Sequence, residues 1–221
     1  MGAFRAIARS VEQGVTPRDS IGGDAITPSE YRIPCCQKCE RQMLLFLQFD
    51  IDPRWSMPFE DGSHFLLFMC PLCNEIPSFA AYSGGQLSGD YWSRTEGHYF
   101  ACLSKAGSSE SIRLAEAILI AKELFFEPLK DVAEHLPDTI RLGGEPFWLQ
   151  EPEPVICSCG SNMVLISQIA ENYGFDKQPG APEQPDSFSA NQYCLFLGNE
   201  VYIFACPRQC DSRAVWVTVQ G

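Results

Sequence analysis

What the sequence lacks narrows its chemistry first. It has only 16 Lys and Arg against 28 Asp and Glu, a net charge of −12. Such a chain has no basic surplus with which to displace counterions from a phosphate backbone, which argues against nucleic-acid binding through a basic face. Histidine is scarce: His64, His98 and His135 are scattered. Each reads as a surface or hydrogen-bonded histidine rather than a base or a ligand. Gly-x-Ser-x-Gly, His-Glu-x-x-His and phosphate-loop patterns are missing, so no catalytic signature stands out. No apolar run approaches the ~20 residues of a membrane span. Residues 1–10 hold no secretory h-region, and Ala6 stands where a myristoylation signal needs Ser or Thr. These absences lead us to expect a cytosolic protein.

Cysteine is what the chain has in quantity, 11 residues in all. In a reducing compartment, paired cysteines signal metal more often than disulfides. Cys36-Gln-Lys-Cys39 and Cys70-Pro-Leu-Cys73 bracket two apolar runs, Met43–Ile51 and Phe65–Cys70. Each Cys-x-x-Cys puts two sulfurs on one tight turn, and two such turns at the ends of a hairpin close a tetrahedral thiolate cage around zinc. Cys35, adjacent to Cys36, is an alternative ligand. A second quartet, Cys157, Cys159, Cys206 and Cys210, has irregular spacing, Cys-x-Cys and Cys-x-x-x-Cys, and reads as a second metal site or as a remnant that lost its metal and packs as core. Four thiolates leave no open coordination position, so both sites are expected to be structural. Cys102 and Cys194 have no place in the pattern and read as core residues.

The second quartet gains weight from an apparent repeat. Gly22-Gly23, Cys36/Cys39, Met43-Leu-Leu-Phe, Gln48 and Cys70-Pro71 are answered by Gly143-Gly144, Cys157/Cys159, Met163-Val-Leu-Ile, Gln168 and Cys206-Pro207. We read this as an internal duplication. The expected fold is α+β and mostly β: two pseudo-symmetric antiparallel lobes, each with a four-Cys, zinc-ribbon-like site. The boundaries are an N-terminal helix or arm (1–20), a first lobe (21–107), a connector (108–141) and a second lobe (142–221), with the lobes packed as one domain. Phe4, Ile7, Ala8 and Val11 lie on one helical stripe and predict a short helix from Phe4 to Gln13. Within the first lobe, Ile76–Tyr82 is expected to supply the third strand of a meander, with Tyr99–Leu103 as a further strand. Residues 83–97 read as a loop. Residues 108–126 fit either a helix or a strand in part, and Asp131–Leu136 a short turn or helix. Residues 171–192, rich in Pro and Gly, predict a long mobile loop.

Gln48 and Gln168 lie inside apolar strands, so their amides must be hydrogen-bonded. We expect them to brace one lobe against the other. Trp148 and the Tyr91-Trp92 pair fit either core packing or the anchoring of a partner.

Leu142-Gly-Gly-Glu-Pro-Phe-Trp-Leu149, Cys159-Gly160, Met163–Gln168 and Tyr202–Pro207 together resemble the YwqG-like family of bacterial proteins. They are also similar to the amino-terminal region of the programmed-cell-death protein 2 family. The first half matches in Gly22-Gly23, Met43–Gln48 and its cysteines, but Asp24-Ala-Ile-Thr27 lacks the Pro and Trp of the arm. The resemblance implies an α+β or mostly β protein of two related halves without established catalysis. Its bacterial side implies an immunity or antitoxin protein, and its eukaryotic side a chaperone for a ribosomal protein. The expectation from charge and motifs together is a zinc-binding module, not an enzyme, that captures a basic protein. Two structural zinc ions are its cofactors, and neither nucleic acid nor membrane is a partner. A thiol-based redox enzyme using Cys35 and Cys36 is the competing class.

Overall fold

The computed structural model describes residues 2–12, 15–28, 31–77, 82–83, 86–94, 97–107, 109–114, 117–129 and 136–221. Its strands in chain order are β1 (Phe4–Ser10), β2 (Ser20–Ile21), β3 (Ala25–Thr27), β4 (Leu44–Asp50), β5 (His64–Met69), β6 (Tyr82–Ser83), β7 (Gln86–Leu87), β8 (Tyr99–Ser104) and β9 (Glu110–Ile112). There follow β10 (Lys122–Pro128), β11 (Ile140–Leu142), β12 (Val164–Ile169), β13 (Phe175–Asp176), β14 (Gln192–Tyr193), β15 (Glu200–Ala205) and β16 (Val215–Gln220). Among the described residues the only helical elements are three short 3-10 turns, so the chain is mostly β rather than α+β.

Ten strands form one antiparallel sheet in the order β16-β15-β12-β11-β1-β10-β2-β4-β5-β8. The sheet curls until β16 lies against β8, where the Leu103 N–H donates to the Ser212 carbonyl at 2.7 Å. The sheet is therefore nearly closed. Side chains alternate along a strand, and the alternation sorts the core into three parts. Phe65, Leu67 and Met69 of β5 meet Val201, Ile203 and Ala205 of β15 in one central core. The intervening Leu66, Phe68 and Cys70 turn outward into a second cluster. Tyr202, Phe204 and Cys206 turn outward into a third. Each quartet of cysteines thus lies at the edge of an outer cluster, beside its own half of the sheet.

β4 and β12 share a feature that no apolar pattern announces. Both carry a bulge against their partner, between Leu45 and Leu47 and between Leu165 and Ser167. The extra residue resets the alternation. Gln48 and Gln168 consequently turn to the outer face, where both are buried. The Gln48 Oε1 accepts from the Ile26 N–H, and its Nε2 donates to the Asp24 carbonyl and the Ser20 hydroxyl, each at 2.9 Å. Gln168 accepts from the Phe147 N–H at 2.9 Å and donates to the Phe147 carbonyl at 2.8 Å and the Glu200 carboxylate at 2.6 Å. Each glutamine pins the arm that follows the Gly-Gly turn of its own half. The expected bracing between halves is corrected accordingly. The turns themselves use left-handed backbone, with φ of 61° and 81° at Gly22 and Gly23, a region glycine enters without penalty.

Further expectations change. Phe4–Ser10 is the strand β1, not a helix. Phe4, with Ala6 and Ala8 packed on the central core, supplies a period of two, and the helical stripe was a coincidence of a short segment. Of the meander's third strand, Ile76 and Pro77 are not in a strand, and residues 78–81 lie outside the described residues; β8 takes that place beside β5. Residues 83–97 contain β7 and a 3-10 turn rather than loop alone. Within 108–126, strand forms at Glu110–Ile112 and from Lys122 onward, while 117–120 contributes one bridge, Leu119 to Lys177. The segment 171–192 is tied down: β13 pairs with β14, and Phe175 and Tyr193 are buried in the central core. The turn expected at 131–136 and the reading of His135 fall outside the described residues apart from Leu136.

One polar cluster sets a pH dependence. Asp50 accepts from His64 Nδ1 at 2.7 Å and from Arg18 Nε and Nη2 at 2.6 and 2.9 Å. Burial opposes its ionisation, but the hydrogen bonds from His64 and Arg18 outweigh it and hold the carboxyl at about 2. Burial pushes the neighbouring Asp19 up to about 6. The two have opposite signs. The Asp50 contribution is complete above the unfolded value near ~3.9 and is lost as pH falls through about 2. Asp19 prefers to be neutral in the folded state, so it costs stability as pH rises from ~3.9 through about 6. Asp19→Asn keeps the acceptor for the Asp50 N–H and removes that cost. Urea titrations of the two proteins are expected to diverge between pH 4 and 7, the variant gaining on the order of 2 kcal/mol. A constant difference across that range would refute the assignment.

Candidate metal centres

Each quartet is built from two knuckles. In the first half the chain folds back at Cys36, whose N–H donates to the Arg41 carbonyl at 2.8 Å while its carbonyl accepts from the Glu40 N–H at 2.8 Å. Glu40 takes a positive φ of 61° to complete the turn. The Cys70-Pro-Leu-Cys73 turn leaves the end of β5, and the Cys70 N–H donates to the His98 carbonyl at 2.8 Å. A Lys38–Glu75 ion pair joins the two knuckles at the surface. The four sulfurs of Cys36, Cys39, Cys70 and Cys73 lie within 4.8 Å of one another, with Cys39 and Cys70 at 3.5 Å.

The second half reaches the same result through its irregular spacing. The Cys157 N–H donates to the Ser161 carbonyl at 2.8 Å, a turn one residue shorter than its counterpart, and Gly160 takes φ of 83° to close it. The opposite knuckle is one residue longer, and Gln209 takes φ of 44° within it. The shortened turn and the lengthened one offset each other. The sulfurs of Cys157, Cys159, Cys206 and Cys210 again lie within 4.8 Å of one another, with Cys157–Cys210 at 3.6 Å and Cys159–Cys206 at 3.5 Å. A tetrahedral ion with 2.3 Å bonds to sulfur needs edges of about 3.8 Å. A disulfide needs about 2.05 Å, and all eleven cysteines are free thiols. Both quartets could therefore hold a metal ion.

The thiols are electrostatically uneven. In the first quartet Cys39 is held below the ordinary thiol value, first by the Arg41 N–H and then by hydrogen bonds from the other three thiols. Burial pushes Cys70 up to about 11 and raises Cys73. In the second, burial opposes ionisation of Cys159, but the Ser161 hydroxyl and N–H bring it down to about 6. Burial raises Cys157 and Cys210. Each quartet thus holds one cysteine whose ionisation is eased beside two whose ionisation burial opposes, and metal binding requires the ligating sulfurs as thiolates.

Cys35 points to solvent outside the first quartet, so it does not replace Cys36. Cys102 and Cys194 are buried and belong to neither quartet, as expected of core residues, Cys102 in the outer cluster beside the first. His98 is buried, with its Nε2 3.1 Å from the Glu75 carbonyl. Trp148 stacks on Tyr202 and Phe204, with centroids at 4.5 and 5.7 Å, and Tyr91 is fully buried between Trp92 and Trp216. Packing therefore accounts for Tyr91 and for the stacking of Trp148, while Trp92 is half-buried with the Arg213 guanidinium 5.5 Å from its ring.

Sequence reasoning missed two amides that stand next to the last cysteine of each quartet. Asn74, after Cys73, crosses to the other half: its Oδ1 accepts from the Leu197 N–H at 3.0 Å and its Nδ2 donates to the Pro185 carbonyl at 3.4 Å. Gln209, before Cys210, crosses the opposite way: its Oε1 accepts from the Glu60 N–H at 3.1 Å and its Nε2 donates to the Ser63 hydroxyl at 2.9 Å. Each knuckle grips the other half of the molecule, and Ser212 adds a hydroxyl contact to Tyr31. Adjacency to a ligand cysteine was the one signal available for either amide.

No family model matches the chain, and no curated protein matches it. Among the described residues no helix is long and apolar enough to cross a membrane.

Proposed function

We propose that the chain is a cytosolic protein-binding module braced by two structural zinc ions, one in each cysteine quartet. The observation that carries the reading is the donor set itself: four sulfurs per site, close to tetrahedral spacing. Thiolate quartets of this kind select zinc over hard cations, and they leave no position for a substrate. The ions brace rather than react. We further propose that the halves descend from a duplicated unit. The matching bulges, the matching glutamines and the cysteine after each middle strand support it.

With a net charge of −12, the module suits a basic partner, whose approach it speeds and orients by long-range attraction. The resemblance to YwqG-like proteins favours a toxin as that partner and an immunity role for the chain. The similarity to the programmed-cell-death protein 2 family favours a ribosomal protein and a chaperone role. Affinity capture of the metal-loaded protein from its native lysate at low salt, followed by identification of whatever is retained at equal molar ratio, separates them. A stoichiometric basic protein that is released as salt rises is the expected result. Recovery of no stoichiometric protein, or of one whose retention ignores salt, counts against the reading.

A further inference from the structure

The sheet has a strand position that the chain leaves half empty. β2 lies between β10 and β4 but is only two residues long, meeting β4 at the single pair Ser20–Gln48 and β10 at Ile21–Lys122 and Ser20–Glu123. β4 continues past it for Leu44–Leu47, paired to β5 on one side alone. The chain leaves the position at Gly22-Gly23, whose left-handed backbone carries it outward to β3. The far wall is the segment 117–121. Its Ile120 N–H and Ile118 carbonyl bond to Asp176 and Gln178, both at 2.8 Å. Backbone groups of successive residues in a strand point to opposite sides, so those of Leu119 turn toward the gap.

The gap is open space. A cavity of about 240 Å³ is lined by Gly22, Asp24, Leu45, Arg113, Ala117 and Leu119. It adjoins a second of about 290 Å³, bordered by Arg41, Leu72, Pro182 and Tyr193, with Leu44 and Ile118 common to both. Arg41 and Arg113 are exposed and make no ion pair among the described residues. Against Asp24, the carboxylate of the lining, the two guanidiniums leave a net positive rim on an apolar floor, in a chain of net charge −12.

We propose that this slot receives an extended segment of a partner protein as an added strand, running as β2 does, with alternate apolar side chains on Leu44 and Ile118 and carboxylates toward Arg41 and Arg113. The walls supply the main-chain hydrogen bonds of strand addition, and the floor and rim supply the selection. The proposal rests on the binding-module reading and names its mode of capture; a partner that is basic overall contributes an acidic-apolar segment here.

The test begins with hydrogen exchange on the metal-loaded protein. The amides of Leu44–Leu47 that face the slot are expected to exchange about a hundredfold faster than those facing β5. Short random peptides displayed against the protein are then expected to yield binders that alternate apolar and acidic residues and slow exchange at Leu44–Leu47 and Leu119. The double variant Arg41→Glu, Arg113→Glu and the plug Ala117→Trp, all at exposed positions, are each expected to weaken those peptides about tenfold. Slot amides already slow in the isolated protein, no selected peptide, or peptides that protect other residues would each overturn the proposal. A stoichiometric native partner that leaves these amides unprotected overturns the slot and keeps the module. A peptide that seats in the slot when no native partner exists does the reverse.

Discussion

Stripping the metal from the protein is expected to unfold it. Binding of a structural zinc ion by four thiolates is worth about 10–16 kcal/mol in small domains, while a whole domain is stable by only ~5–15 kcal/mol. Here the quartets fix more than their own turns. Asn74 and Gln209 reach across to the other half from the residues beside Cys73 and Cys210, so a knuckle that opens withdraws its grip on the opposite side. Elemental analysis of protein purified without added metal is expected to give about two zinc ions per chain. A strong chelator at pH 7 should then abolish the cooperative urea transition, and readdition of zinc should restore it. Cys39→Ser should lose one ion and destabilise the whole sheet. Cys102→Ala, at a buried cysteine outside both quartets, should keep both ions and cost only about 1–2 kcal/mol. Chelation that leaves the transition unchanged would remove the structural role of the quartets altogether.

The second large effect is expected at Gln168. Replacing it with leucine conserves bulk but removes the acceptor of the Phe147 N–H and a donor to the buried Glu200 carboxylate, while the Phe147 carbonyl keeps the Tyr202 hydroxyl at 2.9 Å. Stranding buried polar groups costs about 1–3 kcal/mol each, and more for a charged one. A loss of about 4 kcal/mol is expected, read as a fall in the urea midpoint with unchanged slope. Gln48→Leu strands the Ile26 N–H and the Asp24 carbonyl but no carboxylate, so it should cost about 1–2 kcal/mol less. Equal costs would show that the Glu200 contact contributes nothing.

The sequence made some of this legible and hid the rest for physical reasons. The cysteines were readable because coordination fixes spacing, and the irregular second quartet was readable because Gly143-Gly144, Met163 and Gln168 recur in the order of Gly22-Gly23, Met43 and Gln48. The strands at β4, β5, β12 and β15 were readable as apolar runs bounded by turn residues. Phe4–Ser10 was not, because a seven-residue segment with Phe4, Ile7 and Ala8 satisfies two periodicities at once. Nor was the place of β10 and β11, which reads as a connector and lies at the middle of the sheet: the partners of β10 are at residues 4–10 and 20–21, and nothing in Lys122–Pro128 names them. The direction in which Gln48 and Gln168 reach depended on bulges that no hydrophobic pattern reveals.

The position of β1 bears on how the molecule is made. It is held between β10 and β11, so β1 finds its second neighbour only after Leu142 has been synthesised. Until then the nascent chain carries Phe4–Ser10 as an unmet edge, and contacts of such long sequence separation form slowly. Assembly of the sheet's centre therefore waits on residues 122–142, and an unpaired strand edge is open to non-native pairing until they arrive.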